Sequence, residues 1–278
     1  MTDLDTTRPP GVLQPSRVLE KCRRGEVASC TKINLSDSRV VEIAALAGLD
    51  AVWLDTEHVA NSIRDIEQSV YAARAGGCDA LVRVPRGSYS DLIRPLEVGA
   101  AGVIVPHVVS AEDARWIVRH TRFHPLGRRP LDGGNADGAF TGLDFESYVQ
   151  AANRNRMVIV QIEDPEAMDE LDAIAAVDGI DALFFGPGDF AHGLGVPGRG
   201  DDPRIDDARR RVARVAREHG RFAATVGSLD TRESLIEMGY QIVSIGADVV
   251  SLRQNYKRIA GAFTGTAERP DQAGPYRA

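Results

Sequence analysis

Short apolar runs alternate with longer amphipathic stretches along almost the whole chain. The runs are Ala28–Asn34, Ala51–Thr56, Ala80–Val84, Gly102–Pro106, Met157–Ile162, Ala182–Phe185, Phe222–Val226 and Ile242–Ile245. Their length and their β-branched or aromatic content predict buried strands. Between them, apolar positions at helical spacing predict helices over Arg39–Leu46, Ile63–Ala75, Ser90–Val98 and Ala111–Thr121. Further helices are predicted over Asp144–Asn153, Pro165–Ala175, Arg204–His219, Thr231–Met238 and Val249–Ala262. Ser36-Asp37-Ser38 and Ser110 supply N-caps, Gly48 and Gly76-Gly77 supply stops, and Pro165 takes a favoured first-turn position. A short helix is expected over Val18–Arg24. Strict alternation of strand and helix predicts a parallel sheet, and eight units predict closure into a single (β/α)8 TIM barrel. The barrel is expected over 18–262, with a loose arm at 1–17 and a polar tail at 263–278.

Composition sharpens this picture in a few places. The chain has 278 residues, 43% apolar and 26% charged, enough for one barrel of about 250 residues. Its net charge of -7 argues against a nucleic-acid partner, which needs a basic face. No apolar run approaches membrane-spanning length and no charged-then-apolar leader opens the chain, so no membrane association is expected. Cys22, Cys30 and Cys78 have no metal-type spacing and one must stay unpaired, which suggests a reducing, cytoplasmic setting. Of 33 basic residues only Lys21, Lys32 and Lys257 are lysine. A Schiff-base mechanism needs a lysine at the mouth of the site, and Lys32 alone is positioned to serve.

The chemistry falls where the predicted strands end, which is where a barrel forms its site. Val158–Ile162 leads to Glu163, and Ala182–Phe185 leads through Gly186-Pro187-Gly188 to Asp189. Two acids converging from adjacent strands give a hard-cation site with open positions; solvated loop acids capping helices are the alternative. Strand two ends in Asp55, Glu57 and His58, with Asp55 close enough in sequence to orient the His58 imidazole. Arg83 interrupts the run L-V-R-V-P, which is costly unless an internal ion pair or a substrate anion meets it. His107 follows strand four without an obvious partner and reads as a lining residue. The Gly186–Gly188 turn exposes backbone N–H groups suited to an anion.

These residues occur within the segments A-G-L-D-A-V-W-L-D-T-E-H, L-V-R-V-P, G-V-I-V-P-H-V-V-S-A-E-D-A, V-Q-I-E and F-F-G-P-G-D-F. In that order they resemble the HpcH/HpaI family of metal-dependent pyruvate aldolases, over roughly Val18 to Ala262. The resemblance implies a barrel of the phosphoenolpyruvate/pyruvate-domain type. It implies that Glu163 and Asp189 ligate a divalent ion such as Mg²⁺, Mn²⁺ or Co²⁺. His58, paired with Asp55, would transfer protons, and Arg83 would contact the keto oxygen of a 2-oxo acid. The backbone of Gly186, Pro187 and Gly188 would hold its carboxylate. The implied reaction cleaves a 4-hydroxy-2-oxo acid to pyruvate and an aldehyde, in a homo-oligomer built as a trimer of dimers with exchanged last helices. Two stretches depart from the family pattern: Arg128–Asn135, expected near the aldehyde side, and the first strand, T-K-I-N-L-S-D-S. Macrophomate-synthase-like decarboxylation and bond formation, oxaloacetate decarboxylation and CoA-type lyase chemistry are the alternatives. A silent barrel serving as a scaffold is disfavoured, because it predicts loss of a metal ligand.

Overall fold

The computed structural model describes Leu13 and residues 15–264. Its strands are β1 (Ala28–Ile33), β2 (Ala51–Asp55), β3 (Asp79–Arg83), β4 (Gly102–Val105), β5 (Met157–Ile162), β6 (Ala182–Phe185), β7 (Phe222–Gly227) and β8 (Ile242–Ala247). They pair in chain order, all parallel, and β8 pairs back onto β1 to close a (β/α)8 barrel. The helix α1 (Arg17–Arg23) precedes β1, and α2 (Ser38–Leu46), α3 (Ile63–Ala75), α4 (Tyr89–Glu97) and α5 (Ala111–Thr121) follow the first four strands. Next come α6 (Phe145–Asn155) before β5, α7 (Leu171–Ala175) after it, and α8 (Pro187–Gly193) and α9 (Pro203–Glu218) after β6. Finally α10 (Arg232–Met238) follows β7 and α11 (Asp248–Thr264) follows β8. Most of the expected arm and tail, residues 1–12, 14 and 265–278, lies outside the described residues.

Two elements differ from expectation. The helix expected over Pro165–Ala175 breaks into a 3₁₀ turn, Pro165–Met168, and α7. Glu170, between them, turns its carboxylate to accept the Ala111 N–H at 2.9 Å, so a tertiary cap on α5 replaces local helix continuity. The Gly186–Asp189 turn is the cap and first turn of α8, with Pro187 in the first helical position.

Side chains alternate between the two faces of the barrel wall. Outward residues such as Val52, Leu54, Val82, Val103, Val158, Val160, Leu183 and Val243 pack against the helices in one large core. Inward residues fill the barrel: Ala28, Cys30, Ala51, Leu81, Ile104, Met157, Ile159, Ala182 and Ala224, with Trp53 and Phe184 meeting edge-on at 5.2 Å. The helix α1 plugs the end where strands begin. Asp79 accepts Ser16 Oγ at 2.7 Å and Val18 N–H at 2.9 Å, while Asp50 pairs with Arg17 and Lys21, both at 2.8 Å. Toward the other end the inward face changes from apolar to charged: Lys32, Asp55, Arg83, Gln161 and Glu163, all buried. That change sets the floor of the mouth.

Candidate active site

Asp55 and Arg83 are paired in register on β2 and β3, so their side chains leave the wall on the same inward face. Arg83 Nε donates to Asp55 Oδ1 at 3.0 Å and Nη2 to Oδ2 at 2.6 Å, a bidentate pair. Lys32 Nζ reaches the same carboxylate at 2.8 Å. The Arg83 guanidinium also lies over the Trp53 ring, 4.8 Å from its centre. Burial alone would raise the Asp55 carboxyl, but the hydrogen bonds and charges of Arg83 and Lys32 hold it well below the usual carboxylate range.

The expected pairing of Asp55 with His58 does not form. Asp55 ends its strand pointing inward, and its oxygens are taken by Arg83, Lys32 and the Glu57 N–H. The chain then turns, and His58 emerges half-exposed at the rim with Nε2 3.4 Å from Glu57 Oε2. Glu57 is the carboxylate that gathers the mouth: its Oε2 lies 3.0 Å from Arg83 Nη1, and its Oε1 lies 3.8 Å from His107 Nε2. Among the described residues no donor is aligned with Glu57 Oε2 as a hydrogen bond, so it retains acceptor capacity.

Glu163 follows β5 and is buried. Its Oε1 accepts the His107 N–H at 3.0 Å, and Gln161 Nε2 donates to Oε2. Burial, reinforced by the charge of Asp189, pushes its carboxyl up to about 7 against the opposing pull of His107 and Arg83. His107 itself adopts φ 53°, a left-handed conformation uncommon outside glycine. It is held there by Glu163, by Arg86 on its carbonyl, and by Asp164 at 3.0 Å from Nδ1. Burial lowers the imidazole pKa, but Asp164, Glu163 and Glu57 outweigh it and raise the net value.

Gly186 is required by close packing: a Cβ there would sit 2.6 Å from Glu163 Oε2 and 2.8 Å from its Cβ. Its N–H is spent on Ile162 O at 3.0 Å, and Pro187 has none. The expected backbone cradle therefore narrows to the first-turn N–H groups of Gly188 and Asp189. Asp189 is exposed on α8.

Among the described residues no cluster of three or more His, Cys, Asp or Glu side chains is arranged to hold a metal ion. The available donors are Glu163, Asp189 and Gln161 Oε1, a buried oxygen without a hydrogen-bond partner beside Glu163. Oxygen-only donors with few protein ligands suit a hard divalent cation that keeps positions for water and substrate.

A family model, HpcH/HpaI aldolase/citrate lyase, matches residues 33–255. The chain belongs to the HpcH/HpaI aldolase/citrate lyase family. It is 32% identical over 256 residues to a 2-keto-3-deoxy-L-rhamnonate aldolase of Klebsiella pneumoniae, covering 91% of this chain and 95% of that one. It is 30% identical over 259 residues to a hydroxypyruvate/pyruvate aldolase of Pseudomonas aeruginosa, covering 93% and 96%. The crystal structure of an HpcH/HpaI aldolase from Desulfitobacterium hafniense superposes with a TM-score of 0.83 at 31% identity, covering 92% of this chain and 98% of that one. The relatives are carbon–carbon lyases, and this chain is an aldolase of their pyruvate type.

Three residues of this aldolase's mouth were given no role by sequence, Glu57, Gln161 and Asp164, and His107, read as a lining residue without a partner, is tied to Glu163 and Asp164. Gln161 had a signal, since a polar residue two before Glu163 in an apolar strand shares its face. The contacts of Glu57 and His107 depend on turns that bring β2, β4 and β5 together. The Arg128–Asn135 stretch is also placed differently from expectation, at the end of the barrel where strands begin. Arg129 is buried against Asp137 at 2.8 Å, and the Asp137 N–H bonds Glu97 O at the end of α4.

Proposed function

We propose that this chain is a divalent-metal-dependent pyruvate aldolase, of the phosphoenolpyruvate/pyruvate barrel type, that cleaves a 4-hydroxy-2-oxo acid to pyruvate and an aldehyde. The observation that carries the reading is the meeting of buried Glu163 and buried Arg83 at one barrel mouth. Glu163 and Asp189, with Gln161 Oε1 beside them, would hold Mg²⁺, Mn²⁺ or Co²⁺. When bound, the ion supplies Lewis-acid stabilisation of the negative charge that develops on the 2-oxo acid. Arg83 faces the keto oxygen and stabilises the enolate as the C3–C4 bond breaks. His58, oriented by Glu57 rather than Asp55, takes the proton of the 4-hydroxyl group, and the aldehyde leaves. Protonation of the enolate at C3 gives pyruvate. The N–H groups of Gly188 and Asp189 are the donors left for the substrate carboxylate.

The same reading includes a homo-oligomer, a trimer of dimers with exchanged last helices. Its support is α11, tied to its own barrel by Asp248, which accepts the Asn34 and Leu35 N–H groups, both at 2.9 Å. Beyond that anchor, Val249, Leu252, Tyr256, Ile259 and Phe263 form an exposed apolar stripe at alternating three- and four-residue spacing. Among the described residues no helix is long and apolar enough to cross a membrane. Cys22, Cys30 and Cys78 are buried free thiols, which supports a cytoplasmic setting.

The test is pyruvate release from a panel of 4-hydroxy-2-oxo acids and oxaloacetate, with Mg²⁺ or Mn²⁺ and with EDTA. Release from the hydroxy-oxo acids that chelation abolishes is expected. Release from oxaloacetate alone replaces the aldolase with a decarboxylase.

A further inference from the structure

Lys32 is a buried cation inside the barrel wall for which the reaction above has no use. Its Nζ lies 2.8 Å from Asp55 Oδ2 and 5.1 Å from the centre of the Trp53 ring. Asp55 thus stands between two cations, with Arg83 on its other side. We propose that Lys32 is a positioning residue of the aldol reaction: it neutralises Asp55, so that the positive charge of Arg83 remains available to the substrate anion. The inference rests on the aldolase reading.

Arg83 contacts two carboxylates, Asp55 and Glu57. A single guanidinium between two carboxylates is net negative, and it would repel the 2-oxo acid it has to receive. With Lys32 on Asp55 the group is balanced. Three of the five Arg83 donors face Asp55 and Glu57, which leaves two without a partner among the described residues. The depressed Asp55 carboxyl is consistent with this arrangement, since both cations favour its charged form. The contact also bears on the imine route. A lysine held in an ion pair is the protonated ammonium, whereas attack on a carbonyl needs the free amine.

The test compares wild type with Lys32→Met, which keeps the apolar stem without the charge, and with Lys32→Arg, which keeps the charge. Oxalate, a planar dianion resembling the pyruvate enolate, is titrated calorimetrically into the Mg²⁺-loaded protein. Even at about 10 Å, one unit charge in a medium of effective dielectric constant about 20 corresponds to about tenfold in binding. Lys32→Met is therefore expected to bind oxalate at least about tenfold more weakly, and Lys32→Arg to recover most of the loss. Mg²⁺ titrated alone gives the discriminating readout. Losing a positive charge leaves cation binding unchanged or tighter, whereas structural damage weakens both ligands.

Unchanged oxalate affinity in folded Lys32→Met, weakening of Mg²⁺ and oxalate together, or failure of Lys32→Arg to restore binding overturns the proposal. So does a pyruvate adduct trapped on Lys32 by borohydride. If Lys32→Met does not fold, Lys32→Gln carries the same comparison. The aldolase reading fails separately: it is lost if wild type binds oxalate yet releases no pyruvate, while the oxalate ratio between variants still decides the role of Lys32.

Discussion

Gly186 shows how little slack the site has. A methyl group there would overlap the Glu163 carboxylate, which is itself fixed by the His107 N–H and by Gln161. Overpacking of this kind costs about 1–3 kcal/mol. Gly186→Ala is therefore expected to lower Tm by several degrees and to reduce pyruvate formation by at least about tenfold, because a shift of about 1 Å at a catalytic group has effects of that order. Calorimetry and steady-state rates check both. At this scale the sequence was informative about which residues matter and much less about which touch. Asp55, Arg83, Glu163 and Asp189 stood out as polar letters within or just after apolar runs, and all four meet at or near one mouth. Their partners were harder to read. Asp55 and His58 are three positions apart, but strand alternation sends one inward while the turn carries the other to the rim. Glu57, two residues further along, is the carboxylate that lies 3.4 Å from His58 Nε2.

At the scale of elements, the irregular passage between α5 and β5 depends on a buried charge cluster. Asp137 accepts from Arg156 at 2.6 Å, from Arg129 at 2.8 Å and from the Tyr148 hydroxyl at 3.0 Å. Breaking a buried ion pair by removing one partner costs about 3–5 kcal/mol, so Asp137→Asn is expected to lower the urea midpoint sharply. Burial alone would raise the Asp137 carboxyl, but the charges of Arg156 and Arg129 carry it below its ordinary range. The unfolded chain therefore takes up the proton first as pH falls. The stabilisation is complete above about pH 4 and is lost progressively below it. Urea midpoints measured downward from about pH 7 should show a shallower acid limb in Asp137→Asn than in wild type; identical limbs would contradict this role. None of this was legible in the run R-R-P-L-D-G-G-N-A-D-G, where turn formers hide a core anchored by non-local pairs. The strands and periodic helices were legible because period and length fix them locally. The break before α7 was not, since it depends on Glu170 reaching α5.

The whole molecule combines a closed barrel with one helix, α11, whose apolar stripe is exposed among the described residues. If the α11 stripe is an interface, Tyr256→Glu with Ile259→Glu should lower the mass in light scattering while the far-ultraviolet circular dichroism stays native. An unchanged mass would remove the stripe from the assembly. The barrel itself was readable from the count and order of its elements, whereas the exposure of α11 required the fold, because its apolar spacing is that of any helix packed on a sheet. The central claim, enolate chemistry at the mouth, does not depend on knowing the aldehyde. It is tested most directly by following exchange of the pyruvate methyl protons in D₂O by proton NMR, with Mg²⁺ and no second substrate. Exchange is expected that EDTA abolishes and that Arg83→Ala and Glu163→Gln each slow by about a hundredfold or more. Exchange that persists at the wild-type rate in EDTA and in Glu163→Gln would contradict it.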